Sequence, residues 1–180
     1  MGMDRPAPEI VIRPCEAADL DSVREIYAHH VLTGLASFEI EPPDAAEIRR
    51  RWQEVRSRGF PYLAAECDGA VIGYAYAGPY RTRPGYRFTA ENSVYIRDGW
   101  AGRGIGRRLM QQVIALCEAQ GLRQIVAVIG DSGNIASIRL HQSLGFATVG
   151  TLRSVGYKFD RWVDSVLMQR ALRPGDGAPP

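Results

Sequence analysis

The chain has 180 residues, of which 46% are hydrophobic and 23% charged, with a formal net charge of +2. That length suits one globular domain and that balance allows a sizeable core, which excludes wholesale disorder. So small a charge does not imply nucleic acid or anionic membrane as the main partner, and neither is expected; any anion must be bound by a local cluster. Cys15, Cys67 and Cys117 are odd in number and lack CxxC spacing, which argues against a disulfide framework and a zinc site; no metal is expected. No apolar run reaches about 18 residues, and MGMDRPAPE is too polar for a signal peptide, so the expected address is cytoplasmic.

One domain is expected over residues 9–172, with 1–8 and 173–180, rich in Pro, Gly and small residues, as flexible termini. EIVIR reads as a short alternating strand, and Asp19 to Val31 carries Leu20, Val23, Ile26, Tyr27 and Ala28 at helical spacing. Asp44 is a plausible N-cap for a charged helix from Ala45 to Arg58, ended by Gly59. PYLAAEC and AVIGYAYAG follow as strands joined by Asp68-Gly69, a hairpin-turn signal. After the loop PYRTRPGY, the strand RFTAENSVYI puts Phe88, Ala90, Val94 and Ile96 on one face and Glu91, Ser93 and Tyr95 on the other.

A glycine-rich stretch, WAGRGIGRRL, leads into a helix whose expected buried stripe is Ile105, Leu109, Val113 and Leu116, closed by Gly121. QIVAVIG is a near-continuous apolar run, as for a strand covered on both faces. SGNIASIRLHQSLGF gives another helix ended by Gly145, and two strands, about Ala147–Tyr157 and Trp162–Ala171, complete the chain. This order predicts an α/β or α+β mixed sheet rather than a purely parallel one.

Spacing separates the phosphate-binding readings of the glycines. No Lys-Ser or Lys-Thr follows them, so the P-loop pattern fails. The dinucleotide pattern begins with Gly102 and Gly104 but meets Arg107 where its third glycine belongs, and a second strand-helix-strand unit is absent. In a third reading, Gly102, Gly104 and Gly106 let backbone N–H groups approach a pyrophosphate, with the helix dipole and Arg103, Arg107 or Arg108 complementing its charge. A flexible turn with solvated arginines stays open beside it.

The tract SVYIRDGWAGRGIGRRL with IVAVIGDSGNIASIRLHQSLGF resembles the acetyl-CoA-binding core of the GCN5-related N-acetyltransferases, whose motif runs Gln/Arg-x-x-Gly-x-Gly/Ala at a helix start. FTAENSVYI, RLHQSLGF and VGYKFDRWVDSVLMQ are similar to the phosphinothricin and methionine sulfoximine acetyltransferase branch, and the resemblance spans about residues 10–172. Ala101 departs from the usual Gln or Arg, which removes one polar contact. The resemblance implies a mostly antiparallel sheet, about four flanking helices, and a splayed strand pair that admits acetyl-CoA. It implies that backbone groups of Val94, Tyr95 and Ile96 bind the pantetheine arm. It also implies that Gly102, Arg103, Gly104, Ile105, Gly106 and Arg107 hold the pyrophosphate, with a homodimer as the family tendency.

Acetyl transfer to an amine needs a proton acceptor, a stabilised oxyanion and a protonated leaving thiol. Glu91 is the candidate base: it lies on the strand leading to the glycines, and the matching Glu of the resembling family takes the amine proton. Its carboxyl, ordinarily near about 4.3, gains basicity from partial burial; a solvated strand carboxylate is the alternative. Asn134, Ser137 and His141 share a helix face, and His141 stands where many relatives have a Tyr that protonates the thiolate. The alternative is a packed, hydrogen-bonded histidine, while Asn134 and Ser137 are expected to touch the cofactor.

Arg81, Arg83 and Arg87 crowd the start of the Glu91 strand, suiting a carboxylate or phosphinate, with solvated loop arginines as the alternative. Arg81, Thr82, Arg83, Glu91, Asn92 and Ser93 match the branch's substrate-contact positions, although Arg83 and Asn92 replace its commoner aromatic and His. Lys158, Phe159 and Trp162 line either that pocket or a partner-subunit surface. The expected activity is acetyl transfer to the α-amino group of a small amino acid or analogue, by direct attack in a ternary complex without an acetyl-cysteine intermediate. A non-catalytic acyl-CoA-binding sensor or interaction module is the alternative.

Overall fold

A computed structural model describes residues 9–179; the fraying expected over residues 1–8 lies outside the described residues. Seven strands form one sheet: β1 (Ile10–Pro14), β2 (Tyr62–Cys67), β3 (Ala70–Pro79), β4 (Thr89–Ile96), β5 (Gln124–Gly130), β6 (Ala147–Lys158) and β7 (Arg161–Ala171). They lie in the order β1-β2-β3-β4-β5-β7-β6. Every neighbouring pair is antiparallel except β4 and β5. The four helices are α1 (Leu20–Thr33), α2 (Ala45–Ser57), α3 (Ile105–Ala119) and α4 (Ile135–Ser143).

Local chemistry explains the element ends. Asp44 accepts from the Glu47 amide at 2.8 Å and starts α2, satisfying one of the donors a helix start leaves free. Asp68 and Gly69 both take positive φ, 49° and 78°, the geometry of a two-residue turn whose twist matches the flanking strands. Residues 173–179 make turns against the Arg123 guanidinium, which donates to the carbonyls of Gly175 at 3.3 Å and Pro179 at 3.0 Å.

The sheet separates two apolar layers. On one side Val23, Ile26, Tyr27, Ile48 and Trp52 of α1 and α2 pack on Tyr62, Ala64, Val71 and Tyr74. On the other, α3 lays Ile105, Leu109, Met110, Val113, Ile114 and Cys117 on Leu63, Ala65, Ile72, Ala75 and Ile125. Ile72 and Tyr74, two residues apart, face opposite layers because the β2–β3 register shifts between Ala65 and Glu66; a bulge re-aims the side chains around it.

Two expectations are corrected. Leu116 is 40% exposed, because the buried arc of α3 widens through Met110, Ile114 and Cys117 and leaves Leu116 at its margin. β5 is not covered on both faces: Ile125, Ala127 and Ile129 are buried, but Val128 is 41% exposed. The α1–α2 layer packs on residues of β2 and β3 and does not extend over β5, so the outer side of that apolar run is left uncovered.

Candidate active site

β4 pairs with β5 only from Thr89–Gln124 to Asn92–Ala127, after which the strands part. Pairing with β3 continues without a shift to Ile96–Gly73. Tyr80 N donates to Thr89 O at 3.2 Å and Arg97 N to Ile72 O at 2.9 Å. By antiparallel alternation, Glu91, Ser93 and Tyr95 therefore exchange their amides with β3, while the even residues turn theirs toward β5. Beyond Asn92 there is no β5 to meet, so the amides of Val94 and Ile96 face an open cleft. Tyr95 takes part differently from its neighbours, since its backbone belongs to the β3 ladder. His30 Nε2 lies 2.8 Å from the Ile96 carbonyl and must donate to it.

The cleft runs toward the start of α3. Gly102 and Gly104 take φ of 79° and 74°, a conformation that costs side-chain-bearing residues roughly 1–2 kcal/mol. Gly104 caps the helix with no side-chain hydrogen bond, so the first amides of α3 are free for an anion. Gly106 serves packing: a Cβ there would stand 3.3 Å from Leu140 Cδ2. The arginines divide their work. Arg103 lies over Trp100 at 4.6 Å, Arg108 donates to the Ile10 carbonyl at 2.7 Å, and Arg107 is exposed.

Asn92, Ser93, Val94, Tyr95, Asn134, Ser137 and His141 line the cleft together with Ala36 and β5. Asn134 uses its side chain to cap α4, accepting from Ser137 N at 3.2 Å. His141 is 2% exposed and Asn92 6%. Nδ1 of His141 lies 2.8 Å from the Ser137 carbonyl, so it must carry a proton, and Nε2 faces Asn92 Nδ2 at 2.9 Å and accepts from it. Burial pushes the imidazole pKa down, partly offset by the Ser137 carbonyl. Asn92 thus sits on the face away from Glu91 and Ser93, toward α3 and α4, and its buried Oδ1 has no partner.

Glu91 is half-buried on the α1–α2 side, opposite Gly78 of β3. Burial raises its pKa, and Arg81 works against that rise. The neighbouring loop is exposed throughout from Arg81 to Arg87. Arg81 lies 5.0 Å over Tyr80, whereas Arg87 turns onto Phe88 at 4.5 Å, and Arg83 accepts through its carbonyl from Tyr86 N at 2.9 Å. Of the three arginines, Arg81 is the one whose charge acts on Glu91; Thr82 remains at the loop surface.

Tyr74 and Tyr76 were not singled out in the sequence, and the contacts of Tyr27, Tyr95 and Lys158 were not legible there. Tyr27, Tyr74, Tyr76 and Tyr95 share the Glu91 side of the sheet, with ring centroids 5.1 Å apart for Tyr27–Tyr95 and 5.3 Å for Tyr74–Tyr95; the alternation in YAY was the available signal. Tyr27 OH donates to Glu39, which Arg51 grips at 2.6 Å. Lys158 is buried and donates to the Ser37 carbonyl at 2.8 Å, holding the α1–α2 loop beside the cleft, while Phe159 and Trp162 stay exposed.

A parted strand pair with free amides leading to a glycine-capped helix start forms a cleft suited to an extended ligand with an anionic end, and comparison with known proteins gives its class. The family model for the acetyltransferase (GNAT) domain matches residues 12–167. The chain is 53% identical over 165 residues to a phosphinothricin N-acetyltransferase of Alcaligenes faecalis, covering 92% of this chain and 84% of that one. It is 44% identical over 170 residues to an L-methionine sulfoximine/L-methionine sulfone acetyltransferase of Pseudomonas aeruginosa, covering 93% and 98%. The crystal structure of a phosphinothricin acetyltransferase from Sinorhizobium meliloti in complex with AcCoA superposes with a TM-score of 0.92 at 42% identity, over 95% of this chain and 92% of that one. The chain belongs to the GNAT acetyltransferase family. Within it, the chain falls with the phosphinothricin and methionine sulfoximine N-acetyltransferases.

Among the described residues, no helix is long and apolar enough to cross a membrane, and no cluster of three or more His, Cys, Asp or Glu side chains could hold a metal.

Proposed function

We propose that the protein transfers the acetyl group of acetyl-CoA to the α-amino group of a small amino acid or analogue, of the phosphinothricin, methionine sulfoximine or methionine sulfone type, by direct attack in a ternary complex. The observation that carries this reading is Glu91, a carboxylate with a raised pKa on the strand whose next amides open into the cleft. The free amides of α3 and the Arg107 charge suit the pyrophosphate. The Val94 and Ile96 amides suit the pantetheine arm, and Arg81 suits the acceptor's carboxylate or phosphinate.

In the reaction, Glu91 removes a proton from the acceptor ammonium, directly or through water. The freed lone pair attacks the thioester carbon, and a β4 amide facing the cleft donates to the resulting oxyanion. Collapse breaks the C–S bond, and one of the two protons still on nitrogen passes to the departing sulfur, leaving the amide N–H. A buried neutral histidine whose Nε2 accepts from Asn92 is poorly suited to donate that proton, so His141 acts by orienting Asn92. Cys15, Cys67 and Cys117 are all buried, and burial raises the thiols of Cys15 and Cys117 to about 12, which disfavours an acetyl-cysteine route.

The reading includes a homodimer. The outer β6–β7 ribbon supports it by exposing Val149, Leu152, Val155, Tyr157 and Trp162, the last 66% exposed, an apolar edge that natural sheets usually cover.

A thiol-release assay with acetyl-CoA and a panel of amino acids tests the function. Thiol that appears only with an acceptor supports it. Acetyl-CoA binding without acceptor-dependent thiol would mean that the fold serves as an acyl-CoA sensor.

A further inference from the structure

The geometry points to Asn92 as the residue that sets the size of the acyl group. Held by His141, its side chain closes the end of the cleft, admitting the acetyl chain and turning away butyryl and longer ones. This rests on the acetyl-transfer reading and goes beyond it, since that reading names the donor without saying what excludes larger ones.

Stereochemistry decides where the acyl carbon points. The thioester carbon is planar, with three substituents. Its sulfur trails along the arm toward the start of α3, because β4 runs from Thr89 to Ile96 and on to the glycines. Its oxygen faces the Val94 amide, the first cleft-facing amide of β4 beyond the paired segment. The amine arrives out of the plane, from the Glu91 face of the sheet, through the gap where the strands part. The acyl chain is therefore left to point away from sulfur, back toward the pair Asn92–Ala127 where β4 and β5 close.

That closed end is solid. Asn92, Met110, Ala127 and His141 are all buried. Asn92 Nδ2 sits 2.9 Å from His141 Nε2 and 3.7 Å from Met110 Sδ, so the carboxamide is tethered and cannot swing aside. Phe146 backs the imidazole edge-on, with centroids 4.9 Å apart, so the ring cannot retreat either. Asn92 Oδ1 is enclosed with no partner. Leaving a buried acceptor unpaired costs about 1–3 kcal/mol, a departure from ordinary packing that is expected where function sets the residue.

Chain length follows from the strand repeat. Val94 and Asn92 are roughly 7 Å apart along β4, and contact with the Asn92 side chain takes up roughly 4 Å of that. The remaining space, roughly 3 Å, holds the acetyl methyl and about one further carbon. A butyryl chain meets the carboxamide, and close packing offers it no detour. Asn92→Ala removes the carboxamide and opens that space toward Met110. Ala127→Val does the opposite, adding bulk beside it from β5.

The test measures kcat/KM for acetyl-CoA, propionyl-CoA and butyryl-CoA with one acceptor, and the calorimetric affinity of each donor without acceptor. The proteins are the wild type, Asn92→Ala, Asn92→Ser and Ala127→Val. Free CoA carries no acyl group, so its retained affinity certifies that a variant is folded. The wild type is expected to prefer acetyl-CoA to butyryl-CoA by about a hundredfold or more, the scale on which a pocket rejects two excess methylenes. Asn92→Ala and Asn92→Ser should raise the butyryl to acetyl ratio by about tenfold or more, and Ala127→Val should lower the propionyl to acetyl ratio. A residue that merely supported the fold would weaken every donor alike and leave these ratios unmoved. A wild type indifferent to chain length overturns the proposal. So does a ratio within twofold of wild type in Asn92→Ala or Asn92→Ser while CoA still binds. Should no acceptor release thiol from any donor, the acetyl-transfer reading fails, and the donor affinities still decide the role of Asn92.

Discussion

The Asn92 amide nitrogen lies 2.9 Å from Nε2 of His141, across 49 residues of sequence, on the floor of the cleft between β4 and β5. Because Nδ1 faces the Ser137 carbonyl, the ring is held as the neutral Nδ1–H tautomer, and the Asn92 amide is turned one way round by it. Nitrogen-15 NMR should find His141 in that tautomer from pH 6 to 8. Burial depresses the His141 pKa, and that of His30 as well. The unfolded chain therefore takes up these protons first as pH falls below about 6.5, and stability present above that pH is lost on the way down. His141→Gln should flatten part of the fall in Tm between pH 7 and 5; an unchanged slope would show that the imidazole charges freely in the fold.

Glu91→Gln should lower turnover by about a hundredfold or more near neutral pH, the usual scale for loss of a general base, with acetyl-CoA affinity kept. Since burial raises the Glu91 pKa, the acid limb of the wild-type kcat/KM profile should lie above the ordinary carboxylate range, with activity gained as pH rises through it. Steady-state rates across pH decide this, and wild-type turnover in the variant at all pH values would remove Glu91 from the mechanism.

Arg107 and Arg108 are adjacent but have different work. Arg107→Ala should weaken acetyl-CoA binding about tenfold or more, the scale of a charge-assisted hydrogen bond, and should reduce its dependence on salt. Arg108→Ala removes the donor to the Ile10 carbonyl and should instead lower Tm with little change in affinity. Calorimetry and thermal melts of both variants separate the roles; equal affinity losses would contradict the division.

Gly130→Ala places a methyl 2.2 Å from the Leu35 carbonyl oxygen and 3.0 Å from that of Ala36. Both are backbone atoms, so the α1–α2 loop must move away from the cleft it borders. A stability loss of about 1–3 kcal/mol is expected for such overpacking, together with a raised acceptor KM. A variant with wild-type Tm and KM would show that this loop is not a fixed wall.

The sequence by itself determined whatever depends on near neighbours. Asp44 as a cap, Asp68-Gly69 as a turn, the helix starting after Gly104, and Glu91, Ser93 and Tyr95 on one face follow from capping chemistry, φ preference and a period of two, all set within a few residues. The glycine tract with the following helix also made the family legible. Only the tertiary structure decided where β4 leaves β5, and hence that Val94 and Ile96, not Tyr95, turn free amides to the cleft. It likewise decided that Asn92 holds His141 instead of joining Glu91, that Lys158 anchors the Ser37 carbonyl, and that Val128 and Leu116 stay exposed. The physical reason is common to all of these: a side chain's partners across strands or layers depend on which distant elements pack against it, and apolar periodicity says which face is buried without saying against what.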